Sequence, residues 1–148
     1  MISQYENVII KTICRMLIPF IQLFSLYVLF HGHYSPGGGF QGGVMLGATF
    51  ILLVMAYGLE EARRRISLRA LTTYACVGLF IYSGIGAVCL SRGANYLDYG
   101  ALPLPISHVA TIRAMGILGI EIGVFLGVMA SMTIIFLGLA SFDTGRKE

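Results

Sequence analysis

Residues 16–59 read MLIPFIQLFSLYVLFHGHYSPGGGFQGGVMLGATFILLVMAYGL and contain no Lys, Arg, Asp or Glu. A soluble core built by a chain of 148 residues could not hide such a stretch. The whole composition agrees, since 57% of the residues are apolar and 11% are charged, against roughly 25% charged in soluble domains. Mean hydropathy is +0.83. These values argue against a free-standing cytosolic enzyme and predict a chain that lies mostly in lipid.

Four apolar segments are long enough to cross a bilayer, for which a helix needs about 20 residues. Their approximate bounds are 8–30, 42–59, 71–91 and 114–142. Alternation of apolar and polar residues with a period of two is absent, which disfavours a β-barrel. The sequence therefore predicts an all-α integral membrane protein, with residues 1–148 forming one membrane domain of four transmembrane helices.

The basic residues are unequally divided between the two sides of the predicted bundle. If the N-terminus is cytoplasmic, Arg92 and Arg113 lie outside and the other eight basic residues lie inside. Those eight are Lys11, Arg15, Arg63, Arg64, Arg65, Arg69, Arg146 and Lys147. The positive-inside rule then predicts that both termini are cytoplasmic. Because the basic residues are scattered and form no face, we expect no nucleic-acid partner.

The connection between the third and fourth spans is unlike the other turns. Pro103 and Pro105 prevent a long regular helix there. Two interpretations remain open. The connection is either a short interfacial segment that contacts a partner subunit, or an ordered loop without a specific role.

The first two spans are joined by a turn rich in glycine, HGHYSPGGGFQGG at residues 31–43. Its three glycines in GxGxxG spacing join two membrane spans rather than a strand and a helix, so a nucleotide site is disfavoured. Ser35 and Pro36 suit the start of the second helix. The candidate packing and turn residues are Pro36, Gly37, Gly38, Gly39, Phe40, Gly42, Gly43 and Gly47.

Gly39, Gly43 and Gly47 recur every four residues and would form a smooth stripe on one helix face, where another helix can approach closely. Main-chain groups of the turn could also line a water-filled ion path, the only setting in which irregular backbone is tolerated at membrane depth. The alternative is a tight interhelical turn with no ionic role.

His31 and His33 are the only histidines in the uncharged stretch, and histidine is the side chain that commonly changes charge near neutral pH. A proton relay is one interpretation, and interfacial hydrogen bonding is the other. Two residues at i and i+2 do not share a helix face and no third ligand is near, so neither a metal site nor a haem is expected. The three cysteines, Cys14, Cys76 and Cys89, lie inside apolar segments and suit packing. We expect no cofactor.

Glu121 is the only charged residue of the fourth span, and an ionised side chain at such depth costs on the order of 2.5–3.5 kcal/mol. A stripe of small residues lies roughly opposite Glu121 on the helix. Its members are Gly116, Gly119, Gly123 and Gly127. One face is expected to pack inside the bundle, and the other to meet another subunit or a shared cavity. The alternative is a protonated acid that forms structural hydrogen bonds.

Residues 32–43, GHYSPGGGFQGG, resemble the signature of the MrpB/MnhB family. The resemblance extends to the basic start at Lys11 and Arg15, the charged turn after the second helix and Glu121-Ile122-Gly123. Members are small four-helix subunits of multisubunit Na⁺/H⁺ antiporters, with relatives in membrane-bound hydrogenase-type complexes. Residues 95–103, NYLDYGALP, look more like the branch found beside hydrogenase-like modules and in other antiporter variants.

This resemblance implies an accessory subunit of a cation/proton translocating complex in the cytoplasmic membrane of a prokaryote. Its partners would be the other subunits, Na⁺, H⁺ and lipid. Glu121 would be a cation or proton site, with His31 and His33 at the outer mouth and residues 36–43 fitting the backbone against neighbours. The alternatives are the corresponding subunit of a hydrogenase-type complex, a purely structural packing subunit, and a membrane redox or haem protein.

The orientation can be tested by labelling single cysteines in a background that lacks the three native ones. We predict that Ser35→Cys reacts with an impermeant maleimide on intact cells, whereas Ser67→Cys reacts only in inverted vesicles. The opposite pattern would overturn the orientation that the basic residues predict.

Overall fold

The computed structural model describes residues 4–32, 36–106 and 108–145. In this part of the chain it has five α-helices, one short 3₁₀ turn and no strand. The elements are α1 (Gln4–Phe30), α2 (Gly39–Tyr57), α3 (Leu59–Arg65), α4 (Leu68–Ser91), the 3₁₀ turn (Tyr99–Ala101) and α5 (Val109–Gly145). All of the α-helices except α3 are long and apolar enough to cross a membrane. The predicted all-α class with four membrane-spanning helices is thus confirmed.

All four membrane-spanning helices begin before the predicted bounds, and in α4 and α5 the added residues include an arginine. α4 begins at Leu68 instead of residue 71, and α5 begins at Val109 instead of residue 114. Arg69 and Arg113 therefore lie inside the first turns of these helices. An arginine there can extend its guanidinium to the headgroup region while its stem covers apolar surface.

The start of α2 also differs from the prediction. Pro36 lies outside the helix, which begins only at Gly39. The preceding residue, Gly38, has φ 80° and ψ −156°, a conformation essentially restricted to glycine. The turn therefore continues through Gly38 before the helix can form.

α5 is the central element of the bundle. It packs along both α2 and α4, while α1 packs mainly on α2, so the spatial order is α1–α2–α5–α4. With 37 residues, α5 is about 55 Å long, well beyond the roughly 30 Å of a hydrocarbon layer. Its central position means that two opposite faces of α5 are covered by this chain.

Missing side chains let these helices touch through their backbones. A Cβ atom added at Gly78 of α4 would lie 2.4 Å from the carbonyl oxygen of Gly123 in α5. One added at Gly43 of α2 would lie 2.7 Å from the carbonyl oxygen of Phe125. Helices in lipid gain much of their association from such close packing, since apolar side chains alone do not favour protein over lipid.

Three buried hydroxyl side chains of the bundle form hydrogen bonds within their own helices. Ser25, Thr49 and Thr133 are almost fully buried. Each donates a hydrogen bond to a carbonyl oxygen three or four residues earlier on its own helix, at 2.7–2.8 Å. Thr49 also accepts a hydrogen bond from Gln22 Nε2 at 3.4 Å, which links α1 to α2.

The outer surface is apolar. Large side chains such as Phe20, Leu79 and Phe80 are 66–77% exposed, a pattern that suits contact with lipid or with other membrane subunits. Phe40, which the sequence placed among the packing residues of the turn, is 63% exposed and so also faces outward.

The connection between α4 and α5 lies against the bundle that it links. A Cβ added at Gly86 would meet the ring of Tyr96, and one added at Gly116 would lie 2.7 Å from Tyr99 Cβ. Burial, and to a lesser extent the neighbouring Tyr82, raises the pKa of Tyr99 above its ordinary value, so its phenol is neutral at physiological pH. This part of the chain is the ordered, non-helical connection that the two prolines predict.

The backbone contact between α4 and α5 gives a stability prediction. Gly78→Ala places a methyl group against main-chain atoms that cannot rotate away, and we expect a loss of about 1–3 kcal/mol. Gly84→Ala is the matched control on the same helix, because a Cβ there meets nothing within 4 Å. Thermal unfolding of the detergent-solubilised chain by circular dichroism compares them, and equal melting temperatures would contradict the contact.

Candidate functional site

Glu121 lies on the face of α5 that meets α2. Three glycines of α2 each face one residue of α5, at the same four-residue intervals along both helices. Added Cβ atoms at Gly39, Gly43 and Gly47 would meet main-chain atoms of Glu121, Phe125 and Met129, respectively. The two helices therefore run parallel with a shared four-residue spacing, and the closest approach is at Glu121, where the Gly39 Cβ would come within 2.0 Å of the carbonyl oxygen.

The Glu121 side chain points into the turn between α1 and α2. A Cβ added at Gly32 would lie 2.7 Å from both carboxylate oxygens, and one added at Gly38 would lie 2.9 Å from Oε1. We call Gly32, Gly38 and Gly39 the glycine cradle. Any side chain at Gly32 or Gly38 would compete with the carboxylate for space, so the absence of side chains is what makes room for it.

One oxygen of this carboxylate is left without a hydrogen bond. Oε2 of Glu121 is buried and has no partner among the described residues. A buried polar atom without a partner costs roughly 1–3 kcal/mol, and more when it is charged. Such an atom is a candidate to hold a proton or a small cation, either of which removes the cost.

Of the two histidines predicted beside the turn, the structure describes only His31. His31 is exposed, its Nδ1 lies 3.0 Å from the carbonyl oxygen of Tyr27, and its ring stacks on that of Tyr27 with centroids 4.0 Å apart. It immediately precedes Gly32 of the cradle. His33 lies outside the described residues.

The second face of α5 carries the predicted stripe of small residues. Gly123 lies against Gly78 and Ile81, Gly119 meets Ile85, and Gly116 meets the connection that contains Tyr99. A Cβ at Gly127 would meet nothing within 4 Å. This face therefore packs on α4, roughly opposite the face that carries Glu121.

The sequence predicts that one face of α5 packs inside the bundle and that the other meets another subunit or a shared cavity, and in the structure the Glu121 face also packs within the chain. That face is covered by the turn and the first residues of α2 in the same chain. The reason is the central position of α5, between α2 and α4. The sequence predicts the glycine turn and Glu121 as separate features, because a four-residue spacing is common to all helices and does not show which faces meet.

Metal and thiol chemistry have little support in the described ranges. No group of three or more His, Cys, Asp or Glu side chains in them could hold a metal ion. Cys14 and Cys89 are buried, Cys76 is exposed, and all three are free thiols.

Comparison with known proteins assigns the chain to a family. Residues 9–134 match the model of the MnhB family, described as a domain related to the MnhB subunit of Na⁺/H⁺ antiporter. A protein of Staphylococcus aureus strain MRSA252, named as a candidate antiporter subunit mnhB2, is 31% identical over 135 residues. Its counterpart in strain Newman is 30% identical. Both alignments cover 86% of this chain and 95% of the relative. With four membrane-spanning helices and a family match over most of its length, the chain belongs to the MnhB family of antiporter subunits.

Proposed function

We propose that this chain is an accessory subunit of a multisubunit Na⁺/H⁺ antiporter in the cytoplasmic membrane of a prokaryote. We further propose that Glu121 is a station on the ion path of that complex, meaning a site at which a proton or cation binds on its way across the membrane. Relatives named as antiporter subunits favour this assignment over the corresponding subunit of a hydrogenase-type complex. As a component of a transport complex, the chain would share its work with other subunits.

The observation that carries the proposal is the unpartnered, buried Oε2 of Glu121 in the glycine cradle. A carboxylate that served only to hold two helices together would be expected to have both oxygens hydrogen-bonded. Oxygen atoms of carboxylates and of the main chain are also the ligands that line ion paths in membrane proteins. On the side of the cradle, Gly32, Gly38 and Gly39 approach the acid without side chains.

His31 supports a proton route to this acid. It is exposed and next in the chain to Gly32, whose missing side chain makes room for the carboxylate. An exposed imidazole next in the chain to the cradle can exchange protons with water. In the proposed orientation both termini are cytoplasmic, so this turn, with His31 and His33, faces the outside.

The remainder of the path belongs to other subunits under this proposal. No lysine occurs between Lys11 and Lys147, and Glu121 is the only acid within the four candidate spans. A single acid is one station. Transfer across roughly 30 Å of hydrocarbon needs several.

Replacing Glu121 by Gln in the assembled complex tests the proposal. The amide keeps the size of the side chain but cannot release a proton or neutralise a cation, so we expect Na⁺-dependent proton exchange in inverted vesicles to fall to background. Co-purification of the other subunits should be unchanged. Glu60→Gln, at an exposed position of α3, is the control and should leave exchange intact.

If the Glu121→Gln complex keeps full exchange, the proposed role of Glu121 is wrong and the chain is a packing subunit. If the Glu121→Gln complex fails to assemble, exchange is measured with Glu121→Asp instead. It keeps the charge but shortens the reach, so an ion station predicts reduced exchange with normal assembly, and full exchange would contradict it.

Gly38 allows the placement of the carboxylate to be tested separately from stability. Gly38 and Gly58 have similar strained backbones, with φ 80° and 86°, so alanine should cost each site a similar 1–3 kcal/mol, an order-of-magnitude value. Only at Gly38 would the new Cβ approach Glu121, since a Cβ at Gly58 meets nothing within 4 Å.

We therefore predict similar melting temperatures for Gly38→Ala and Gly58→Ala, but lower Na⁺/H⁺ exchange for Gly38→Ala alone. Unfolding by circular dichroism and exchange in inverted vesicles provide the two measurements. Equal exchange in both variants would show that displacing the carboxylate has no consequence for transport.

A further inference from the structure

A second cavity lies at the opposite end of the bundle from the glycine cradle. It has a volume of about 580 Å³ and is enclosed by the turn from α3 to α4 and the last turns of α5. The 19 residues of α2 separate the two ends, a distance of about 28 Å. Nothing in the proposed transport role of Glu121 uses this cavity.

The mouth of the cavity is rich in arginine. Arg63, Arg64, Arg65 and Arg69 all line it. Arg65 is already engaged, because it forms an ion pair with Glu61 at 2.8 Å and lies over the ring of Tyr57. Arg63 donates a hydrogen bond to Ser141 of α5. These contacts fix one side of the mouth.

The remaining two arginines are exposed and available. Arg64 and Arg69 have no ion pair with any side chain that the structure describes. The segment from α3 into α4 carries four arginines against two glutamates, so the mouth has an excess of positive charge. Guanidinium groups in this arrangement match the geometry of a phosphate group.

The interior of the cavity is apolar. Ile134, Leu137 and Gly138 of α5 line it, and a Cβ added at Gly138 would meet nothing within 4 Å. From Ser141 at the mouth to Ile134 the cavity follows α5 for about 10 Å. The cavity therefore joins a cationic mouth to an open apolar groove at the end of a membrane span.

We propose that this cavity binds an anionic phospholipid, with its phosphate between Arg64 and Arg69 and the first part of an acyl chain along Ile134 and Gly138. The charge of the mouth selects an anionic headgroup, because an ammonium-bearing headgroup would be repelled. The apolar groove selects a lipid over a free phosphate ion, which would occupy only the mouth. Clusters of basic residues next to membrane helices commonly recognise anionic lipids in this way.

Native mass spectrometry of the purified full chain in detergent tests the proposal. The probes are phosphatidylglycerol and phosphatidylcholine with identical acyl chains, each added to delipidated protein, with inorganic phosphate as a competitor. We expect one phosphatidylglycerol to be retained at concentrations at which phosphatidylcholine is not. Millimolar phosphate should not displace it, since phosphate lacks the acyl chain.

Two variants separate the mouth from the groove. The double variant Arg64→Gln/Arg69→Gln should weaken retention of phosphatidylglycerol at least about tenfold, whereas Arg92→Gln, an exposed arginine at the other end of α4, should not. Gly138→Leu adds a side chain at a position where a Cβ meets nothing within 4 Å, and it should also weaken retention. Circular dichroism checks that each variant is folded.

Equal retention of both lipids, or unchanged binding in the double arginine variant, would overturn the proposal. Displacement by inorganic phosphate together with normal binding in Gly138→Leu would overturn it too, because the cavity would then be a phosphate site.

Discussion

The main chains of α2 and α5 touch at Gly39 and Glu121, and the rest of the bundle depends on this approach. Any side chain at Gly39 would overlap the α5 backbone, so the two helices could not pass so closely. The same register continues through Gly43 and Gly47, which makes the contact a seam rather than a single point. In lipid such seams matter more than in water, because close packing replaces the hydrophobic effect as the force between helices.

The seam also explains how an acid can lie inside a membrane span. Of the three glycine contacts between α2 and α5, the one at Glu121 is the closest, and its side chain enters the glycine cradle, where Gly32 and Gly38 have no side chains to exclude it. The turn supplies space and main-chain dipoles, yet it leaves Oε2 without a partner in the described chain. The described chain thus holds the carboxyl group in place but gives Oε2 no hydrogen-bond partner. Under the proposed function, that combination suits a group whose proton or cation is exchanged.

Different parts of this structure could be predicted to different degrees. The four spans follow from hydropathy, because lipid imposes both a length and an apolar composition on each helix. α4 and α5 begin a few residues before the predicted spans and include Arg69 and Arg113, since an arginine can extend to the interface from inside a helix. Glu121, Gly38 and Gly39 are candidates from the sequence and Gly32 is not, and the contact between the turn and Glu121 is not predicted. That contact depends on the spatial order of the helices, with α5 between α2 and α4, and helix periodicity alone does not determine which faces meet.

Under the proposed function the chain acts together with other subunits. The position of α5 between α2 and α4 limits where those subunits can contact it. Both polar or small-residue faces of α5 are used within the chain, so neither is left to recruit another subunit. The apolar surface that remains exposed includes large side chains of α1 and α4, such as Phe20 and Phe80. Neighbouring subunits would therefore have to bring their own charged groups to the vicinity of Glu121, approaching the cradle from the turn rather than through α5. An ion path built in this way would pass along the edge of the subunit, with Glu121 as the station that this chain contributes.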